Sequence, residues 1–439
     1  MDGASKIPSS IFEFSSGEDE AAARLPGIIQ WWLTIFAFFL AFPAIDVAGL
    51  SITFYLFFII LIIHARHRVS IITRDKTNKW FILLFVAGTI GTLSHPHFAR
   101  EVSFLSDFKT IAQYAYWILL AMYIRSNYRL IDWWKIARAL VWGLCALVVG
   151  YYFLPINGDL AFFNIHSGIS RNGFVYNLLA FFPLTVIYLK NLRPRFLRVS
   201  LFALFVLSVL LSNGRAGFIL IILETLLVGM ILYPGLTRTI KVGLLFVLIV
   251  FVFWQINSES ILITKISSAI EHVNPRASAM LNKEGTEGDL TLDKSWLLRR
   301  LMLDKSMEIV AKYPVFGIGW MHFINYDAQL NTLKKYPRLQ YLDKTYLNTR
   351  SSHNSYAMYL AEGGIAGFIF LIVILLTTIW PFLRKFLKNN LSITDASLVA
   401  LAILVIYFYV ITSITGANTW FIVGAALGCV RNSIVPNVT

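Results

Sequence analysis

Three residues in this chain pair fixed positive charge with a proton acceptor: Arg171, Arg215 and His353. Arg171 stands in Ile169-Ser170-Arg171-Asn172-Gly173, and Arg215 in Leu211-Ser212-Asn213-Gly214-Arg215-Ala216-Gly217. His353 opens His353-Asn354-Ser355-Tyr356-Ala357, with Glu362 further along the same apolar run. A guanidinium keeps its charge and offers a fork of donors that fits phosphate oxygens. Beside a departing diphosphate it stabilises the transition state more than the ground state, because charge builds up there as the bond breaks. An imidazole takes the proton from an attacking hydroxyl near neutral pH. The set suits chemistry on a lipid-linked diphosphate. The chain has no GxxxxGK[ST] loop and no GxGxxG between a strand and a helix, so the energy comes from the substrate or a gradient. Metal ligation fits poorly, since the close pair His95 and His97 has no acidic cluster with it.

Such residues need a scaffold, and the composition says which kind. The chain has 439 residues, 57% hydrophobic and 14% charged, with a mean hydropathy of +0.67. That is an integral membrane protein. At about 20 apolar residues per span, twelve candidate helices run near 28–43, 46–64, 80–94, 108–124, 136–154, 173–190, 197–211, 215–233, 238–255, 354–381, 396–412 and 416–430. The net charge of +14 does not point to nucleic acid, because most Lys and Arg lie in short loops between apolar runs. Arg66, Arg68, Arg74, Lys76 and Lys79 fill the first such loop. Arg125, Arg129 and Lys135 follow, then Lys190, Arg193, Arg195 and Arg198, then Arg238 and Lys241, and finally Arg384, Lys385 and Lys388. All fall on one side of the alternation, which makes that side and both termini cytoplasmic. The N-terminus lacks the basic n-region and cleavage site of a signal peptide. Cys145 and Cys429 sit inside apolar runs and read as inert.

The polar stretch 256–352 breaks this pattern. Its backbone groups could not be satisfied in lipid, so it must fold outside the membrane, on the face opposite the basic loops. Within it, 294–312 reads as an amphipathic helix. Arg300, Asp304, Glu308 and Lys312 form one polar face, and Leu297, Leu298, Leu301, Met302 and Ile309 supply apolar contacts. Tyr313-Pro314 ends the helix, and Phe316-Gly317-Ile318-Gly319-Trp320 follows as a turn.

The expected fold is thus an all-α polytopic membrane protein. About twelve transmembrane helices carry one large, mainly helical periplasmic module between helices 9 and 10. The divisions are 1–27 tail, 28–255 helices 1–9, 256–352 module, 353–433 helices 10–12 and 434–439 tail. Arg171, Arg215 and His353 then share the outer face. Arg171 either snorkels to water or binds an anion, and Arg215 is fixed closely by a tight hairpin. Arg299 and Arg300 aim at lipid headgroups or form a solvated salt-bridge ladder. Glu362 lies deeper, where an acid has a functional or pairing reason. Gly363, Gly364 and Gly367 let a neighbouring helix approach closely.

Taken in order, three motifs resemble the O-antigen ligase/polymerase superfamily. They are Ser212-Asn213-Gly214-Arg215-Ala216-Gly217, Pro314-Val315-Phe316-Gly317-Ile318-Gly319, and His353-Asn354 followed by Glu362-Gly363-Gly364-Ile365-Ala366-Gly367. The resemblance covers about 170–380 in motif and the whole chain in topology. It implies a glycosyltransferase of the bacterial inner membrane, moving a glycan from undecaprenyl diphosphate to an acceptor hydroxyl at the periplasmic face. In a ligase that acceptor is a sugar of lipid A–core. His353 would be the base or acceptor-positioning residue and Arg215 would hold the diphosphate. Arg171, Arg299, Arg300, Asn354 and Glu362 would complete the binding set. The implied partners are the lipid-linked O-antigen, lipid A–core and membrane lipids, with no nucleic acid, metal or soluble cofactor. Direct displacement would invert the anomeric configuration.

Ligase and polymerase use the same donor. One large late loop suits a ligase, whereas polymerases often carry a second large arginine-bearing loop earlier, and here 155–170 is short. Protein O-oligosaccharyltransferases of the superfamily are usually longer. A flippase of lipid-linked sugars is the reading from a different class. Glu224, near the middle of the eighth span, favours it or simply pairs with a neighbouring helix, and the chain shows no internal repeat.

Overall fold

The computed structural model describes residues 25–42, 45–47, 50–66, 77–94, 104–153, 164–165, 171–212, 215–232, 243, 246, 288–324, 326, 354–388, 390–408 and 416–434. It is mostly helical. In chain order come α1 (Gly27–Ala41), β1 (Ile45–Val47), β2 (Leu50–Ser51), α2 (Ile52–Arg66), α3 (Asn78–Ser94), α4 (Phe104–Asn127) and α5 (Trp133–Phe153). Then follow β3 (Asn164–Ile165), α6 (Arg171–Leu189), α7 (Arg195–Leu211), α8 (Arg215–Leu232), α9 (Gly288–Lys312), α10 (Ser355–Leu387), α11 (Ala396–Tyr407) and α12 (Ala417–Ile434). Helices occupy eleven of the twelve stretches that the apolar runs mark, and of the twelfth, 238–255, only Gly243 and Phe246 are described, both helical.

Two described helices, Trp133–Tyr152 and Ser355–Leu387, are long and apolar enough to cross a bilayer alone. Six others, among them Gly27–Ala41 and Asn78–Ser94, are apolar but shorter. The exterior is apolar too: Ile62, Phe196, Leu211 and Leu387 are each at least 68% exposed. A surface of that kind suits lipid rather than water.

Inside lipid the hydrophobic effect does not drive helices together, so close packing must. α12 lies along α4, α10 along α3, α5 between α1 and α6, and α11 against α6 and α8. Gly424 shows the means. A Cβ there would come within 2.5 Å of the Ala121 carbonyl, so the α4–α12 approach needs a residue without one. At the opposite end from the candidate site, Arg125 Nη1 donates to Asn78 Oδ1 at 2.7 Å, and Lys385 Nζ pairs with buried Asp395 at 2.6 Å.

Two features depart from the expectation. The link between α1 and α2 is a short hairpin whose β1 also pairs with β3, giving a small antiparallel sheet of order β2-β1-β3. Alternation over so few residues is too brief to register as strand. α9 also starts six residues before 294.

Candidate functional site

The site is built around α10, which is not one straight helix. Its first turn is capped by Asn354, whose Oδ1 accepts from the Ala357 N–H at 3.1 Å. The Ser355 N–H donates to the Phe408 carbonyl at 2.8 Å, and the Tyr356 hydroxyl to the Val405 carbonyl at 2.7 Å. These bonds fix the head of α10 to the end of α11. Two and a half turns on, Gly364 adopts φ 62°, ψ −169°, and the helix breaks.

The groups freed by the break are met by the turn after α9. Ile365 and Ala366 donate to the carbonyls of Pro314 and Val315 at 2.8 and 3.1 Å. In return Ile318 and Gly319 donate to the carbonyls of Ala361 and Glu362 at 3.1 and 2.9 Å. The motifs Pro314–Gly319 and Glu362–Gly367 are thus two halves of one backbone joint. The expectation that Gly363 and Gly364 admit a neighbouring helix is corrected here: what enters is a turn. Its own Gly317 and Gly319 have φ +66° and +92°, and a Cβ on either would strike the backbone of α10 or α3.

Trp320 anchors the turn. It is fully buried, occupies the space that Gly88 leaves on α3, and stacks on Tyr114 of α4 with centroids 4.3 Å apart. Its backbone N–H donates to Thr92 Oγ1 at 3.0 Å. Truncating Trp320 to alanine should cost about 3–5 kcal/mol, read as a fall in unfolding temperature in detergent.

Beneath the turn lie two acids. Glu362 is 1% exposed, and its Oε1 accepts from the Phe323 N–H at 3.3 Å. Asp107, near the start of α4, pairs with His322 Nε2 at 3.1 Å, both residues buried. His322→Ala should leave Asp107 buried without its partner and cost about 1–3 kcal/mol, whereas Asp107→Asn, which can still bond the imidazole, should cost less. Thermal unfolding of the two variants checks the order. A small second core closes over this joint, formed by Leu301, Met302, Ile309, Ile318, Phe323 and Met358. On its rim Lys312 donates to the Tyr326 hydroxyl at 2.8 Å, and that bond raises the lysine pKa above its ordinary value.

The expected site residues fall into two groups. Glu362 and Asn354 are part of the joint and the cap just described. Arg299 and Arg300 are exposed on α9, and both have interactions of their own. Arg171 and Arg215 are the first residues of α6 and α8, but their side chains lie outside what is described, as does all of His353. The backbone still relates the helix starts. α6, α7 and α8 are joined by short turns and pack on one another, so α6 and α8 begin at the same end. Asn418 of α12 bonds Asn177 of α6, and Tyr176 bonds Thr419 at 2.5 Å. α12 starts where α11 ends, and α11 ends beside the head of α10. The first residues of α6, α8 and α10 therefore gather at one end of the bundle. Glu224, halfway along α8, is fully buried, and neither oxygen has a hydrogen bond among the described residues.

Asp107, His322 and Tyr114 are missing from the sequence reading. Asp107 and His322 are 215 residues apart, and no spacing rule connects them. Trp320 was seen only as part of a turn.

The matched region spans most of these features. Residues 200–372 match the family described as O-antigen ligase. Over this stretch, less than half of its length, the chain is similar to that family. The O-antigen ligase match takes in the Arg215 hairpin, α9, both halves of the joint and the His353-Asn354 head of α10. It leaves out Arg171. No curated protein matches the chain.

Proposed function

We propose that the chain is an O-antigen ligase of the bacterial inner membrane. It transfers O-antigen polysaccharide from undecaprenyl diphosphate to a sugar hydroxyl of lipid A–core on the periplasmic face. The observation that carries this reading is the family match over 200–372, within which Arg215, the plugged break and His353 fall in one ordered set. In the reaction Arg215 holds the diphosphate and stabilises the charge that grows on it as the anomeric bond breaks. His353 takes the acceptor's proton or positions its hydroxyl. Arg171 assists from the head of α6, and Arg299 and Arg300 from α9. Attack opposite the leaving diphosphate inverts the anomeric carbon. The twelve helices, with both termini cytoplasmic, belong to the same proposal.

The joint supports it physically. It ties α10 to α9 and the turn after it, a fixed element of the kind that a proton acceptor at its head needs. The test uses purified protein with lipid-linked O-antigen and lipid A–core. Glycan attached to lipid A–core, with release of undecaprenyl diphosphate, is the expected product. Lengthening of the lipid-linked glycan with lipid A–core ignored would make it a polymerase. Lipid-linked glycan left intact would remove the enzyme reading and favour transport, with buried Glu224 the place to look next.

A further inference from the structure

On the face of α4 turned away from Trp320 lies a cavity of about 180 Å³, between the end of α1, β2, and the starts of α2 and α12. Among the described residues that line it, none is charged. Its walls are aromatic rings, including Tyr116 and Trp117, interrupted by the neutral polar groups of Gln113, Asn418, Ser51 and Thr53. Gln113, Tyr116 and Trp117 recur at helical spacing along one face of α4. The cavity lies beside the start of α12, toward the end of the bundle where α6, α8 and α10 begin. It also adjoins the element that leads to Arg171: β2 supplies part of the wall, and β3, just ahead of α6, joins the same sheet.

One polar group here is left over. The Tyr116 hydroxyl is buried, and although it lies near Thr53 it has no hydrogen bond of good geometry. The Thr53 hydroxyl is already paired with Ser51 at 2.8 Å. Asn418 spends its amide N–H on Asn177. Buried hydroxyls are almost always partnered, so one without a partner in a cavity it lines marks a place for a polar ligand atom. A phosphate finds no cation among the described lining residues, and a lipid tail has no use for four neutral polar groups. A sugar ring fits both halves of the wall, with a C–H face for the aromatic rings and hydroxyls for the amides.

We infer that this cavity is a subsite for one uncharged sugar ring, taken from the donor glycan or from the acceptor core. It rests on the proposed glycosyl transfer for the origin of the sugar, but its binding can be measured without turnover. Two probes separate the sources: O-antigen polysaccharide freed of lipid, and core oligosaccharide freed of lipid A. Saturation-transfer NMR on full-length protein in detergent reads each.

Wild type is expected to bind one probe. Tyr116→Phe, which removes only the unpartnered oxygen, should weaken that binding about 3–10-fold with unfolding temperature unchanged. Gln113→Leu, which removes a donor and an acceptor together, should weaken it about 10-fold or more. Wild type that binds neither probe, or two folded variants that bind like wild type, would overturn the subsite even if transfer proceeds. Binding that follows this pattern in a protein that transfers nothing would keep the subsite and remove the ligase reading.

Discussion

Alanine at His353 should lower the rate of glycan transfer to lipid A–core by roughly 10²–10⁴-fold, the usual contribution of a positioned proton acceptor. Alanine at Arg215 should lower it by roughly 10²–10³-fold, as for loss of one donor to a charge that develops only in the transition state. The two losses should fall on kcat more than on KM, because neither group is needed most in the ground state. Arg215→Lys sharpens the test. It keeps the charge and gives up the planar fork, so a residual rate between wild type and alanine would point to diphosphate recognition rather than to packing. For His353 the pH profile is the sharper readout. Loss of the acidic limb of the rate profile marks a base, whereas an unchanged profile with a higher KM for lipid A–core marks a residue that only positions the acceptor. Initial rates with purified, folded protein decide both, and wild-type rates in both alanine variants would remove these residues from the mechanism.

Gly364→Ala should be among the most damaging single changes within the described structure. The backbone there lies at φ 62°, ψ −169°, which is open to glycine and costs other residues about 1–3 kcal/mol. Space is refused as well, since an added Cβ would collide with the Val315 carbonyl and the Gly317 nitrogen. Overpacking of that kind adds about 1–3 kcal/mol. The chain's way out is to straighten α10 and expel the turn, which unseats Trp320 and exposes the second core. The expected result is a large drop in unfolding temperature, with new proteolytic cleavage at residues 313–323. Gly367→Ala is the control. A Cβ there meets only Leu84 Cδ1 at 4.0 Å, an ordinary contact, so it should behave like wild type. If the two variants unfold alike, the joint does not hold the fold.

Helix positions were legible in the sequence because each apolar run is long and bounded by charge or by Gly and Pro. α3 and α10 were expected from 80 and 354 and begin at Asn78 and Ser355. The amphipathic face of α9 was legible through Leu301, Met302 and Ile309, all of which are buried. Lys305 was not, because periodicity cannot show that an ammonium will sit 4.8 Å over the Phe323 ring and be buried there. The motif order was legible, but not the reason for it. Nothing local to Pro314–Gly319 or Glu362–Gly367 says that each supplies the other's missing backbone bonds. The pairing of Asp107 with His322 is hidden for the same reason: it is made by the packing of α3, α4 and α10 around a turn, and leaves no period or spacing behind.

The break in α10 also sets an order of events during synthesis. A peptide of residues 355–387 alone in a bilayer has every reason to close the gap at Gly364, since each unmet backbone group in hydrocarbon costs several kcal/mol. Newly inserted, α10 is therefore expected to be straight, which circular dichroism of that peptide in lipid would check. It bends only when Pro314, Val315, Ile318 and Gly319 offer their own groups. Those residues leave the ribosome about forty positions earlier, so their groups are on hand when the helix arrives. Bending is then the closing step of assembly in this region, the capture of a late helix by an early turn, and it is the step that gives the head of α10 its final height.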